Sequence, residues 1–168
     1  MARRMRGVQV LGVDLSENML AEARRKATAC GLDERVVLSL GDAERLEVAD
    51  ASVDVVTVAF GVRNFGDLGA GLREIARVLK PGGKVVILEF STPRNPLFRR
   101  VYGLYSHRLL PAIGGISKDR KAYEYLPASV DEFPAPECFM AMMREAGFKD
   151  CRARSQSLGI AQIYTGEK

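Results

Sequence analysis

The feature that most constrains the fold is a regular alternation of short apolar segments with amphipathic segments of helical length. Four segments are apolar and rich in β-branched residues: Val8–Val13, Arg35–Leu40, Val53–Phe60 and Lys84–Phe90. Such alternation favours an α/β fold with a mostly parallel sheet. The run Val53–Phe60 is almost continuously apolar, which predicts a central strand buried on both faces.

Two helices are predicted between these strands. Ser16 is placed to cap the first, which Gly31 ends, and Met19 is among its apolar residues expected to face the core. The second is predicted over Asp67–Leu79, and the Pro-Gly-Gly sequence at 81–83 stops it before the next strand.

The C-terminal part has a different pattern. Residues 92–134 carry five prolines and predict a helical insertion or lid. Pro136–Glu145 is predicted to be a helix, with Pro136 in its first turn. Phe148–Ser157 and Ile160–Thr165 alternate in polarity and predict an antiparallel hairpin at one edge of the sheet. We expect residues 1–168 to form a single domain.

Composition excludes several classes of protein. Lysine and arginine number 25 against 21 acidic residues, a formal charge of +4, which does not point to a nucleic-acid partner. No apolar run is long enough to span a membrane. Cys30, Cys138 and Cys151 are far apart and only one histidine is present, so no metal site is expected. Free thiols favour the cytoplasm, with Cys138 and Cys151 expected to be at least half-buried.

Polar groups follow three of the predicted strands, where ligands bind in open α/β sheets. A carboxylate at Asp14 would accept hydrogen bonds from both hydroxyls of a ribose, and Asp42 with the backbone of Ala43 would contact an adenine amino group. The loop Gly61–Asn64 follows the third strand. An alternative is that these aspartates only form turns after strands. The residues alone leave both interpretations open.

Several phrases of the sequence are similar to those of one enzyme family. They are Gly12–Leu20, Gly41–Glu44, Ala59–Phe65, Arg77–Gly83, Leu88–Ser91, Tyr123–Ser129 and Met142–Phe148. Phe-Gly-Val-Arg-Asn at 60–64 and the Tyr-x-Tyr-Leu-x-x-Ser phrase at 123–129 are the most specific. The chain resembles the ubiquinone/menaquinone biosynthesis C-methyltransferases, which depend on S-adenosylmethionine, over roughly Val8–Lys168.

The resemblance implies a Rossmann-like class I methyltransferase sheet. It also implies an enzyme that methylates a ring carbon of a polyprenyl quinol. Asp14, Asp42 and Ala43 would then hold S-adenosylmethionine, and Ala59 would contribute only backbone. The fixed positive charge of Arg63 would favour the phenolate form of the quinol ring. Asn64 would orient a ring hydroxyl or a water. The alternative for Arg63 is a surface ion pair.

The segment 92–134 would cover the substrate in such an enzyme. Tyr102, Tyr105 and His107 are its candidate substrate-contacting residues, although a lone histidine more often has a structural role. Apolar and basic side chains alternate over Leu97–Leu110. A polyprenyl substrate then predicts peripheral contact of a cytoplasmic protein with the inner membrane surface.

The sequence departs from the family in one respect. Family members begin with a helical segment, a strand and a glycine-rich loop of the form Asp/Glu-x-Gly-x-Gly, whereas the only Gly-x-Gly here, Gly69–Gly71, lies inside a predicted helix. We therefore expect an N-terminally truncated sheet. Open strand edges would then favour a homodimer or a swapped assembly.

Three alternatives to quinol methylation remain. The chain is a methyltransferase of another small molecule, a nicotinamide-dependent dehydrogenase, or a catalytically inactive fragment or assembly module. The phrase Phe60–Asn64 argues against the first, and a dehydrogenase offers no reason for Leu79–Gly83. The absent glycine-rich loop favours the third.

Overall fold

The computed structural model describes residues 7–92 and 129–168. The chain divides into two compact units, the first ending at Val48 and the second beginning at Ala49. The single-domain organisation stays a prediction. Most of the segment 92–134 lies outside the described residues, and residues 129–132 are helical.

The first unit is a β-α-β element. Strand β1 (Val10–Asp14) and strand β2 (Val36–Leu40) pair in parallel, connected by helix α1 (Glu17–Ala29). Ser16 caps α1 as predicted, since its hydroxyl accepts a hydrogen bond from the Met19 amide at 3.3 Å.

The inward face of α1 is narrower than the sequence predicts. Leu20 and Ala27 are buried, whereas the Met19 side chain is 61% exposed, so its expected core position was wrong. Leu20 and Ala27 lie seven residues apart, two turns along one side of the helix, and this single line faces β1 and β2. Gly31 ends α1 at φ +62°, the left-handed conformation that favours glycine.

The second unit contains a four-stranded mixed sheet with two helices. Its elements are strand β3 (Val53–Ala59), a 3-10 turn (Val62–Asn64), helix α2 (Leu68–Val78), strand β4 (Leu79–Phe90), helix α3 (Pro136–Glu145), strand β5 (Lys149–Gln156) and strand β6 (Ala161–Glu167). The strand order is β3-β4-β6-β5, with β3 parallel to β4 and β6 antiparallel to both β4 and β5. The predicted C-terminal hairpin is therefore confirmed.

Strand β3 does not lie where its apolar sequence places it. In the part of the chain that the structure describes it pairs only with β4, at the edge of its sheet, and Val55 is 47% exposed. Val56 and Val58 pack against the core, so one face of the strand is covered. The expectation of a strand buried on both faces was wrong. Among the described residues β3 and β1 each pair with one strand only, and the truncated sheet stays a prediction.

The Pro-Gly-Gly sequence stops α2 but does not separate it from β4. Leu79, immediately after the helix, already pairs with Val53 across the parallel ladder. Gly82 takes φ +76° within the strand, and its amide donates to the carbonyl of Lys168 at 2.9 Å. The strand therefore begins five residues earlier than the sequence suggested, because the glycines bend it rather than break it.

The core of the second unit is formed between α2, α3 and one face of the sheet. Its fully buried side chains are Val62, Leu72, Ile75, Leu79, Val85, Ile87, Phe139, Met143, Phe148 and Tyr164. Burial of each such apolar side chain contributes about 1.5–3 kcal/mol. None of the helices in the described ranges is long and apolar enough to cross a membrane.

Candidate functional site

Two predicted ligand-binding carboxylates lie at one end of the first unit. Because β1 and β2 are parallel and Asp14 is opposite Leu40, both Asp14 and Asp42 follow the carboxyl ends of neighbouring strands. The Gly41 amide donates to the Asp14 carbonyl at 3.1 Å, which fixes the start of the second loop against the first strand. The structure thus brings Asp14, Asp42 and Ala43 together at the carboxyl ends of β1 and β2, as the sequence predicts.

Both carboxylates also stabilise their own turns. The Ser16 amide donates to Asp14 Oδ1 at 2.8 Å, and the Glu44 amide donates to Asp42 Oδ1 at 2.9 Å. This is the turn-forming role that the alternative interpretation predicts, and it uses one oxygen of each side chain. Both side chains are exposed, and no described residue donates to their second oxygens. Two acceptors at adjacent strand ends fit the hydroxyl and amino donors of a nucleoside, so the residues present fit this part of S-adenosylmethionine.

The second unit places Ala59 at the carboxyl end of β3. Ala59 is exposed and lies opposite Leu88 of β4. Phe60 follows with φ +56°, a left-handed conformation that is costly for an aromatic residue and is typical of functional sites. Its ring stacks on Phe90, with centroids 4.4 Å apart. The loop after β3 is therefore held against the end of β4.

Arg63 is held in this loop by several contacts. Its Nη1 donates to Glu89 Oε1 at 2.7 Å and to the Phe60 carbonyl at 2.7 Å. Its guanidinium lies 5.4 Å from the centroid of the Phe90 ring. The Arg63 side chain is 11% exposed, so the alternative of a surface ion pair was wrong and the pair is buried.

Glu89 is the residue that sequence reasoning missed. Its side chain is fully buried, and its partners are Arg63 and the Phe90 amide, which donates to Oε1 at 2.9 Å. The signal in the sequence was a carboxylate inside the apolar segment Lys84–Phe90, because glutamate is almost never fully buried unless it is paired.

Asn64 lies at the end of the 3-10 turn, one residue beyond Arg63. Its side chain is exposed. Its backbone N–H donates to the Gly61 carbonyl at 3.0 Å. Tyr102, Tyr105 and His107 lie outside the described residues. The second unit therefore places Ala59, Arg63 and Asn64 in one loop region, joined by Glu89.

A cleft of about 360 Å³ opens beside Arg63. Apolar side chains form much of its wall, among them Phe65, Leu68, Phe133 and Met142. Polar and charged side chains complete the lining, namely Ser129, Asp67 and Glu132 besides Arg63. The combination of apolar walls with polar groups suits an aromatic ring that carries oxygen substituents.

Gly71 controls the position of Phe65 in this wall. A Cβ built on Gly71 would overlap the Phe65 ring, whereas one built on Gly69 meets mainly the mobile end of the exposed Arg73 side chain. We expect Gly71→Ala to destabilise the protein by about 1–3 kcal/mol. Gly69→Ala should change stability by less than about 0.5 kcal/mol, because the better helix propensity of alanine is offset by the contact of its Cβ with Asp67 Oδ1, which caps α2, at 3.2 Å. Urea unfolding measures both, and equal effects of the two substitutions would contradict the packing argument.

The cysteines differ from one another in exposure. Cys30 and Cys138 are exposed, so the expectation that Cys138 is half-buried was wrong, whereas Cys151 is partly buried. Burial raises the pKa of the Cys151 thiol, which keeps it in the unreactive neutral form near neutral pH.

A family model and individual relatives of known name both match this chain. The family model of the ubiE/COQ5 methyltransferase family matches residues 2–168. The chain is 50% identical over 161 residues to the ubiquinone/menaquinone biosynthesis C-methyltransferase UbiE of Geobacter sulfurreducens, covering 96% of this chain and 63% of the relative. It is 47% identical over 163 residues to a demethylmenaquinone methyltransferase of Thermus thermophilus, of which it covers 73%.

Solved structures support the fold. A SAM-dependent methyltransferase from Aquifex aeolicus is similar with a TM-score of 0.64 at 18% identity, over 98% of this chain and 72% of that one. Phosphoethanolamine N-methyltransferase 2 of Haemonchus contortus, solved with S-adenosylmethionine, is similar with a TM-score of 0.70 at 20% identity, over 96% of this chain and 44% of that one. At these identities the likeness shows the Rossmann-like methyltransferase fold alone. With the match of the family model over residues 2–168, the chain belongs to the ubiE/COQ5 methyltransferase family.

Proposed function

We propose that this protein takes part in the S-adenosylmethionine-dependent C-methylation of a polyprenyl quinol ring. The observation that carries the proposal is the largely buried guanidinium of Arg63 beside a partly apolar cleft, in a chain of this family. The names of the relatives support a quinol as the substrate class. A benzoquinol and a naphthoquinol both fit this chemistry.

In this proposal the first unit binds the nucleoside portion of the cofactor. Asp14 accepts hydrogen bonds from the ribose hydroxyls, and Asp42 with the Ala43 backbone contacts the adenine. S-adenosylmethionine supplies, when bound, an electrophilic methyl group on a positively charged sulfur.

The second unit activates the ring in this proposal. Arginine stays protonated in proteins, so Arg63 acts as a fixed cation and not as a base. A cation beside a ring hydroxyl favours the phenolate, which makes the neighbouring ring carbon more nucleophilic. That carbon forms the new bond to the methyl group as the bond to sulfur breaks, and the ring then releases a proton to water. Asn64 orients the ring hydroxyl or that water.

Binding of S-adenosylmethionine tests the proposed role of the two carboxylates. We expect Asp14→Ala and Asp42→Ala each to weaken binding about 10- to 100-fold in calorimetry, the effect of losing hydrogen bonds to a charged group. Asp33→Ala is the matched control, because Asp33 is also exposed and accepts a local hydrogen bond, from the Thr28 hydroxyl at 2.5 Å, but lies before β2. Equal losses for all three variants, or no binding by the unaltered chain, would overturn this role.

Product formation tests the substrate class. Radioactive methyl transfer to short-chain demethylated naphthoquinol and benzoquinol should label one or both rings. Labelling of neither, by a chain that binds the cofactor, would favour a methyltransferase of another small molecule. A folded chain without cofactor binding would favour the assembly module. That interpretation is supported by the place of the one Asp-x-Gly-x-Gly sequence, Asp67–Gly71, which forms the start of helix α2 and not a loop after a strand.

The proposal includes two further partners, a membrane surface and a second copy of the chain. The polyprenyl tail favours peripheral contact with a membrane surface, which sedimentation with anionic vesicles tests. Within the described residues β1 and β3 each have one edge without a strand partner, which favours a homodimer or swapped assembly. A monomeric mass in light scattering would contradict it.

A further inference from the structure

We propose that Glu89 is a positioning residue for the methyl transfer: it fixes Arg63 and, through Arg63, the backbone at the end of β3 in one arrangement. The catalytic meaning of this inference rests on the proposed function. The contacts that carry it belong entirely to the second unit.

The carboxylate of Glu89 is completely removed from water. It lies in β4 opposite Gln162 of β6, which is itself 5% exposed. A buried carboxylate requires donors, and three are present: Arg63 Nη1 at 2.7 Å, the Arg63 amide at 3.2 Å and the Phe90 amide at 2.9 Å. Both carboxylate oxygens are engaged, since the Arg63 amide binds Oε2 and the other two donors bind Oε1.

Arg63 is therefore held at two points by the same side chain. Its backbone amide and its guanidinium both donate to Glu89, so the main chain and the far end of the side chain are fixed together. The same Nη1 donates to the carbonyl of Phe60, the residue in the left-handed conformation. A strained conformation persists only where its surroundings determine it, and here Glu89, through Arg63, is part of those surroundings.

Stability alone is a poor explanation for this pair. An apolar pair of similar volume would fill the same space without the cost of taking two charges out of water. The guanidinium is also left with a buried Nε that has no hydrogen-bond partner in the structure as described. Buried unsatisfied donors are rare, and each requires an explanation. An oriented cation whose place is fixed by a carboxylate accounts for both observations.

A double-mutant cycle on methyl transfer tests the inference. Glu89→Gln keeps the shape of the side chain but removes its charge, and we expect kcat to fall about 10- to 100-fold while the KM for S-adenosylmethionine changes less than about twofold. Because Glu89 acts through Arg63, the double variant with Arg63→Ala should be no slower than Arg63→Ala alone. Glu89→Asp, which keeps the charge, should recover part of kcat. Losses that multiply in the double variant, or an unchanged kcat in Glu89→Gln, would overturn the proposal.

Glu74→Gln is the control for this cycle. Glu74 forms an ion pair with Arg77 within α2, at 2.8 Å, in which the arginine and glutamate side chains are 31% and 20% exposed. We expect its kcat to match that of the unaltered protein. A fall equal to that of Glu89→Gln would show that loss of any such pair slows the protein, which would overturn a positioning role.

A spectroscopic readout separates this inference from the proposed function. In ¹⁵N NMR of the ligand-free chain, the side-chain N–H resonances of Arg63 should be narrow, and they should shift and broaden in Glu89→Gln and, to a smaller extent, in Glu89→Asp. Unchanged resonances would overturn the positioning of Arg63 whatever the activity. Absence of any methylated quinol from a chain with the expected resonances would count against the proposed function and leave the positioning of Arg63 standing on the NMR result.

Discussion

Arg63→Met is expected to destabilise the protein by about 3–5 kcal/mol, because it leaves the Glu89 carboxylate buried without its charged partner. Glu89 is fully buried and Arg63 is 11% exposed, so solvent cannot replace the lost guanidinium without opening the loop after β3. The substitution also removes the hydrogen bond to the Phe60 carbonyl. Urea unfolding followed by circular dichroism gives the free energy of unfolding.

Two further variants show whether burial is the cause of this loss. Arg73→Met removes a surface pair with Asp67, in which both side chains are more than 60% exposed, and should change stability by less than about 0.5 kcal/mol. The double variant Arg63→Met/Glu89→Leu removes both buried charges and should recover most of the stability without recovering methyl transfer. A loss in Arg63→Met no greater than that in Arg73→Met would contradict the argument.

Local features of the fold were predictable because their causes lie within a few residues. The cap at Ser16, the end of α1 at Gly31 and the span of α3 depend on hydrogen bonds and sterics inside one turn of chain. The hairpin of β5 and β6 was predictable for the same reason. Asp14 and Asp42 lie together at the carboxyl ends of β1 and β2 because these strands are parallel. The alternation of strands with helices along the sequence predicts that pairing.

Properties that depend on distant partners were not predictable. The sequence of β3 is apolar, but whether the strand lies at the centre or at the edge of its sheet depends on which strands pair with it. Arg63 was recognisable as a functional candidate, whereas its partner Glu89 lies 26 residues away, and only the β3–β4 pairing brings them together. Met19 fits the helical period yet is exposed, because the period does not determine how wide a face the neighbouring strands cover.

Phe139→Ala is expected to destabilise the protein by about 3–5 kcal/mol, because it opens a cavity at the centre of the second unit. The Phe139 ring is fully buried and packs edge-on against Tyr164, with centroids 4.7 Å apart, and against Phe133 at 4.9 Å. Phe133 lines the cleft beside Arg63, so loss of this packing should also weaken binding of the aromatic substrate. Cys138→Ala, on the exposed side of the same helix, should change stability by less than about 0.5 kcal/mol in the same urea titration. If the two variants unfolded at the same urea concentration, α3 would not be the support of the cleft wall that its packing indicates.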